Sequence, residues 1–318
     1  MSIFTRAQEA ELITAVQGRG EIPLKFVYLG PKGAINWDNI VQIRSSTVSG
    51  INSEEGILLQ EKISAFLDAL PKNMRKINII DIGCGNGYPV FPVLKALSDR
   101  KIKFRYVPLD ISQEMIDLAV KNIKKEFGNV QHKDILFDFE QGNFANIAYN
   151  LKSDRSYNLF LYFGSTLGNQ PDMGRVLSNF RDSMDANDYM LIGVQLSNLA
   201  KIDEILAHYD VKYTADFLYH IPEVMGISKK DTSYNVIWND LKNQVEIRIQ
   251  LKNDQKVKIG QYQFVLKKSE RIFLSRSVKF TSWTLTKLLT DVGFRTEILA
   301  TDKANTYTLS MVQPTRYV

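Results

Sequence analysis

The sequence predicts an α/β protein, a doubly wound sheet interrupted late in the chain by an α+β insertion. Three observations predict it. The segment Asp81-Ile82-Gly83-Cys84-Gly85-Asn86-Gly87 joins an apolar run at 77–80 to a helix-like stretch, giving the strand, glycine turn and helix of a nucleotide-binding unit. A second apolar run at 104–109 ends on Asp110, 27 residues after Gly83. From about 55 to 197 strand-like and helix-like segments alternate, as in a parallel sheet covered on both faces, and after Leu196 that alternation stops.

In chain order, strands are expected at 77–82, 104–109, 129–134, 157–163 and 188–196, and helices near 55–70, 88–98, 112–126 and 172–184. Pro171-Asp172 opens the last helix, where a missing N–H costs nothing. Residues 198–228 read as helical and irregular. Between 234 and 280, Val236-Trp238, Val245-Ile247-Ile249-Leu251, Tyr262-Phe264 and Ile272-Leu274 alternate apolar with polar positions. Turn signals at Asn239-Asp240, Asn253-Asp254 and Gly260 separate them, so one antiparallel sheet with a wet face is expected. A helical pattern returns at 281–289, Gly293 stands where a C-cap is wanted, and 295–299 with 306–312 close as a hairpin. The sheet domain is therefore read as 51–197 plus 279–318, and the second domain as 1–50 plus 198–278.

Glycines at alternate positions, G-x-G-x-G, let the backbone turn sharply and approach a ligand, since no Cβ blocks the way. A dinucleotide turn places its third glycine one residue later, beside a pyrophosphate. The shorter form suits a ligand without phosphates, of which S-adenosylmethionine is the commonest on this kind of sheet. Asp110 then stands where a doubly wound sheet binds ribose hydroxyls. Its other reading is a helix N-cap, which Ser112 could supply equally well. The fourth strand runs out into Gly164-Ser165-Thr166-Leu167-Gly168-Asn169, at the edge where open sheets bind ligands. Asn169 offers donors and acceptors to an amine or a carboxylate, or caps the next helix. Cys84, with no histidine placed nearby in sequence to activate it, reads as a small packing residue.

Composition narrows the function classes. One cysteine excludes an intramolecular disulfide framework, and histidines at 132, 208 and 220 make no metal-ligand cluster. No apolar run approaches ~18 residues and the N-terminus lacks a secretory pattern, so no membrane partner and a cytoplasmic location are expected. The net charge of +5 is spread over mixed faces, with 252–268 the most basic stretch, so a small molecule and no nucleic acid is the expected partner.

The run F-G-S-T-L-G-N at 163–169, with D-I-G-C-G-N-G at 81–87, P-L-D-I-S at 108–112, Asp138-Phe139 and S-V-K-F at 277–280, resembles the histidine-specific methyltransferase family. That family includes the ergothioneine-pathway histidine Nα-methyltransferases and the fungal dimethylallyltryptophan N-methyltransferases. Lys25-Phe26-Val27-Tyr28 is similar to its N-terminal K-x-F-Y element, and His208-Tyr209-Asp210 to its Y-D element. The resemblance implies a class I methyltransferase with a seven-stranded sheet, an inserted substrate-binding or lid domain, and S-adenosylmethionine as cofactor. It implies that Tyr28, Gly83, Gly85, Asn86, Gly87, Asp110, Ile111, Asp138, Phe139 and Gly164 hold that cofactor. Asp110 would accept ribose hydroxyls and Asp138 the adenine amino group, with Phe139 against the adenine ring. Asn169 and Tyr209 would hold the amino and carboxylate groups of an amino-acid substrate and orient it for transfer.

The chain departs from the family where the acceptor's side chain would sit. The family's E-x-S-x-K-F reads Ser275-Arg276-Ser277-Val278-Lys279-Phe280, so the glutamate that bonds an imidazole is absent. Arg44-Ser45-Ser46-Thr47-Val48-Ser49 stands where the family has paired tyrosines, and Ile247 where it has a methionine. Removing a polar partner removes the discrimination it gave. The expected acceptor is therefore an amino acid or amino-acid-derived small molecule other than histidine, methylated on its amino group. Ser275 and Ile247 would border it; Ser277 either bonds it or faces solvent, and Tyr213 and Phe217 either line its pocket or pack. A small-molecule O-methyltransferase and a non-catalytic S-adenosylmethionine-binding module are the alternatives. A nicotinamide-dependent dehydrogenase would need a longer glycine loop and a Tyr-Lys or His partner.

Overall fold

The structure, a computed structural model, describes residues 3–47, 54–72, 76–152 and 156–315, with side chains from 44 to 47 left out. The side chains of the 44–49 stretch set against the family's paired tyrosines lie outside the described residues. In chain order the elements are α1 (Arg6–Arg19), α2 (Gly30–Thr47), α3 (Glu54–Asp68), β1 (Lys76–Ile82), α4 (Phe91–Asp99), β2 (Lys103–Asp110), α5 (Gln113–Phe127) and β3 (Ile135–Leu136). There follow α6 (Ala145–Leu151), β4 (Ser156–Tyr162), α7 (Met173–Arg181), β5 (Tyr189–Gln195), α8 (Ile202–Ala207), α9 (Lys212–Leu218) and α10 (His220–Val224). The remainder is β6 (Thr232–Asn239), β7 (Gln244–Leu251), β8 (Gln255–Ile259), β9 (Tyr262–Leu266), β10 (Arg271–Val278), α11 (Ser282–Asp291), β11 (Phe294–Thr301) and β12 (Tyr307–Pro314). Two compact units result, Met1–Ile40 with Asn198–Val278 and Val41–Ser197 with Lys279–Val318; the first division falls inside α2 and not at residue 50.

The larger unit holds a seven-stranded sheet ordered β11-β12-β5-β4-β1-β2-β3, parallel except for β12, which runs antiparallel to β5 and β11. From β1 the chain moves outward through β2 and β3, then returns to β4 on β1's other side. Such a reversal opens a crevice at the strands' carboxyl ends. Successive β4 side chains alternate between two apolar layers. Leu159 and Leu161 join the core formed by Leu58, Leu59 and Ile63 of α3, Val93, Leu94 and Leu97 of α4, and Ile116 and Ala119 of α5. Phe160 and Tyr162 face an aromatic layer instead, with ring centroids 4.9 Å apart for Tyr162 and Phe180 and 5.7 Å for Phe139 and Tyr162. Burying each such side chain stabilises the unit by about 1.5–3 kcal/mol.

Three local expectations are corrected. The third strand is β3, two residues at 135–136, and 129–134 contributes only the isolated bridge between Tyr106 and His132. The stretch Gln131-His132-Lys133-Asp134 is exposed and has nothing to bury against the edge of the sheet. Asp172 is the cap that opens α7, accepting the Arg175 amide at 2.9 Å, so Pro171 lies before the helix. The insertion forms two sheets, because β8 and β9 pair only with each other across Gly260, whose φ is +58°.

The smaller unit builds its three-stranded antiparallel sheet in the order β10-β7-β6. A wet face appears on β6, where buried and exposed positions mix, but β7 is almost wholly buried. Glu246 of β7 is inside because Gln244, Asn239 and Arg248 all bond it, at 2.6–2.8 Å.

Candidate functional site

The turn after β1 has the left-handed backbone its glycines permit: φ is +63° at Gly83, +52° at Gly85 and +78° at Gly87. The Gly83 amide donates to Leu109 O at 2.7 Å and the Gly85 amide to Asp110 Oδ2 at 3.4 Å, which stitches the turn to the end of β2. A Cβ on Gly83 would lie 3.6 Å from the Phe139 ring, so that glycine fronts the aromatic residue. One on Gly87 would meet Ala119 of α5 at 3.2 Å, so the third glycine also seats helix against strand. Asn86 is buried; its carbonyl accepts Asn122 Nδ2 at 2.9 Å.

Asp110 is 7% exposed and its Oδ1 accepts the Ser112 amide at 3.0 Å. The cap of α5 is Ser112, whose Oγ accepts the Met115 amide, so capping does not account for Asp110. Burial raises the Asp110 carboxyl to about 6 against the pull of the Ser112, Gly85 and Ile111 amides. Ile111 and Asp138 are half-buried, and Asp138 Oδ1 accepts the Glu140 amide at 3.0 Å. Phe139 is buried in the aromatic layer.

At the end of β4, Gly164 and Ser165 are both left-handed, with φ of +71° and +57°. Ser165 Oγ accepts the Gln195 amide at 2.9 Å, and the buried Lys279 Nζ donates to Gln195 Oε1. Asn169 ends the following 3₁₀ turn, half-buried, and the next helix is capped by Asp172 rather than by it.

Sequence reasoning missed two further buried carboxyls here. Asp81, 4% exposed, accepts the Tyr106 hydroxyl at 2.8 Å; burial carries it up to about 7, and the charge of Asp110 adds to the rise. Glu55 of α3 accepts the Gly164 amide at 2.8 Å and the Tyr307 hydroxyl, and burial, with Asp81 adding, carries it to about 7 as well. The leading D of D-I-G-C-G-N-G could have flagged Asp81. Nothing local distinguished Glu55 from an ordinary acid in a helix's first turn.

The smaller unit gathers the residues expected on the acceptor side. The Tyr209 hydroxyl donates to Ser277 Oγ at 2.9 Å, and the Tyr209 carbonyl accepts the Tyr234 hydroxyl at 3.2 Å. Ser277 is 3% exposed, which rules out its solvent-facing reading. On β10 and β7, Ser275 sits directly opposite Ile247 and Ser277 opposite Val245. Phe217 packs in a three-ring cluster with Tyr28 and Trp37, centroids 5.3–5.7 Å apart, and Tyr213 lies half-buried one turn earlier on α9. Among the described residues no helix is long and apolar enough to cross a membrane, and no cluster of His, Cys, Asp or Glu could hold a metal ion.

A nucleoside fits the larger unit: an acid at the end of β2 for a diol, a glycine turn open to close approach, and an aromatic ring beside it. The buried carboxyls at the same edge suit a ligand carrying positive charge, as S-adenosylmethionine does. Sheet order and site together define a class I methyltransferase. The sequence pattern of the histidine-specific, SAM-dependent methyltransferases matches residues 10–314, and the chain belongs to that family. It is 23% identical over 249 residues to the histidine N-alpha-methyltransferase of Mycobacterium tuberculosis, covering 74% of this chain and 75% of that protein. It is 22% identical over 266 residues to the N-methyltransferase imqF of Aspergillus flavus, covering 79% and 70%. Among solved structures, the CMeT domain of the citrinin polyketide synthase shares the fold, with a TM-score of 0.50 at 14% identity over 98% of this chain and 66% of that one. The protein is thus an S-adenosylmethionine-dependent N-methyltransferase.

Proposed function

We propose that the enzyme methylates the amino nitrogen of an amino acid, or of a small molecule with an amino-acid head, and that histidine is not its preferred acceptor. The observation that carries this reading is the Tyr209–Ser277 hydrogen bond of 2.9 Å beside the opposed pair Ile247 and Ser275. It joins the residue that would hold an acceptor's carboxylate to one that would meet its side chain. A short hydroxyl, Ser275, then stands where the family's glutamate would receive an imidazole, with the branched apolar Ile247 opposite it, which favours an aromatic or aliphatic side chain.

In this reading Asn169 orients the amino group, Tyr209 the carboxylate, and Ser275, Ser277, Ile247 and Tyr213 border the side chain. Gly83, Gly85, Asp110, Ile111, Asp138, Phe139, Gly164 and Tyr28 hold the cofactor, which supplies an electrophilic methyl on its sulfonium when bound. The transfer is an in-line displacement, so holding a neutral amine in line accounts for on the order of 7–11 kcal/mol of the barrier. Hydrogen bonds to the acceptor's carboxylate and desolvation of its ammonium favour the neutral amine, and no nucleophilic side chain is needed.

Histidine is the second reading, favoured by the name of the Mycobacterium tuberculosis relative. Incubating the enzyme with S-adenosylmethionine and a panel of amino acids and aromatic amines, with mass spectrometry to count added methyl groups, separates the two. The expected outcome is faster turnover of an aromatic or aliphatic amino acid; turnover of histidine above all others would refute the proposal.

A further inference from the structure

Glu55 stands in the first turn of α3, 7% exposed, and ties the loop after β4 to the start of β12. Its Oε2 accepts the Gly164 amide at 2.8 Å and the Tyr307 hydroxyl of β12, and its Oε1 lies 3.2 Å from the same amide. Gly193 of β5 makes room for this arrangement. A Cβ there would fall 2.7 Å from Tyr307 Oη and 2.9 Å from Glu55 Oε2.

Among the described residues no cation faces Glu55. Asp81 is the ionisable neighbour that acts on it, and around Asp81 stand the Tyr106 hydroxyl, Asp110 and the buried Cys84. Among the described residues Glu55, Asp81 and Asp110 bond only neutral donors, namely amides, two tyrosine hydroxyls and one thiol. A buried carboxylate without a counter-ion is costly, and such groups lower that cost by holding a proton. Burial raises Glu55 and Asp81 to about 7.

We propose that Glu55 is a positioning residue for the cofactor: it fixes the bend at Gly164 and, with Asp81, releases a proton as the sulfonium arrives, giving the cofactor a counter-charge that its uncharged thioether product does not require. Carboxylic acid becomes carboxylate, the proton passes to solvent, and no other bond changes. The inference rests on the family's cofactor and holds whichever amino acid is methylated. It also gives the enzyme a reason to hold S-adenosylmethionine and let S-adenosylhomocysteine go.

Calorimetry in two buffers of different ionisation enthalpy counts the protons. More should be released on binding S-adenosylmethionine than on binding S-adenosylhomocysteine, and affinity for the former should rise about tenfold between about pH 6 and 8 for one group titrating near 7. Glu55→Gln keeps an acceptor for Gly164 and Tyr307 and removes the charge, so it should flatten that rise and shrink the difference between ligands. Tyr307→Phe, which withdraws a donor from the carboxylate, should move the rise to higher pH. Equal proton counts for the two ligands in the wild type, or an undiminished rise in Glu55→Gln, would overturn the proposal and leave the family's cofactor in place. A wild-type enzyme that took up neither ligand would overturn both.

Discussion

At the amino ends of β4 and β5, Asp188 is 1% exposed and its Oδ1 lies 2.7 Å from Lys152 Nζ, with the Asn158 and Asp185 amides at 3.1 and 3.0 Å. At the carboxyl ends of the same sheet, Asp81, Asp110 and Glu55 are nearly as deep but, among the described residues, meet only neutral donors. Burial raises Asp188 above its ordinary value even beside Lys152, yet the cation that answers it comes from the fold itself. The contrast separates charge used for folding from charge kept for a ligand. Where the chain completes its own ion pair the charge serves folding; where no described cation answers it, we assign the answering charge to the cofactor.

The largest expected effect is on the pH dependence of the cofactor-free enzyme. Glu55 and Asp81 hold protons up to about 7 in the folded state, whereas Glu55 unfolded loses its proton near 4.5. The folded state therefore binds more protons across that window, and stability falls as pH rises from about 5 to 8, with Glu55 alone contributing on the order of 3 kcal/mol. Urea unfolding along that range, with and without S-adenosylmethionine, measures it; a curve that rises instead would mean these acids are paired after all.

Next comes Lys152→Met, which leaves Asp188 buried without its cation and should cost about 3 kcal/mol in the urea transition. Adding Asp188→Asn to it should recover most of that loss. A cost below about 1 kcal/mol would erase the distinction between the two ends of the sheet. The smallest effect on the fold is expected from Asp110→Ala. It should weaken S-adenosylhomocysteine binding by roughly 10- to 100-fold, the worth of hydrogen bonds to one charged acceptor, and lower the stability of the free enzyme by only about 1 kcal/mol as the Ser112 and Gly85 amides lose their acceptor. Calorimetry together with thermal melting would expose the opposite pattern, intact binding in a destabilised protein.

The sequence made the strands, the glycine turn and Asp110 legible, but not this contrast in charge. The alternation of strand-like and helix-like segments from about 55 to 197 predicted a parallel sheet covered on both faces, and the glycine turn after the first strand with Asp110 ending the second predicted two strands that indeed pair in register, from Lys76–Lys103 to Ile82–Leu109. The turn signal at Gly260 was equally legible, but not that β8 and β9 would leave the other strands to form a sheet of their own. The third strand was misplaced because an edge strand of two residues has too little apolar pattern to read.

What the sequence determined by itself is whatever a dozen neighbouring residues can encode: period, turn chemistry, caps, and motifs whose members stand on one loop. Only the tertiary structure decided which distant groups share a buried space. Glu55 meets Tyr307 across 252 residues and Tyr209 meets Ser277 across 68. A carboxylate's solvation, and so its proton affinity and its use, is set by those neighbours in space, which the order of residues along the chain does not reveal.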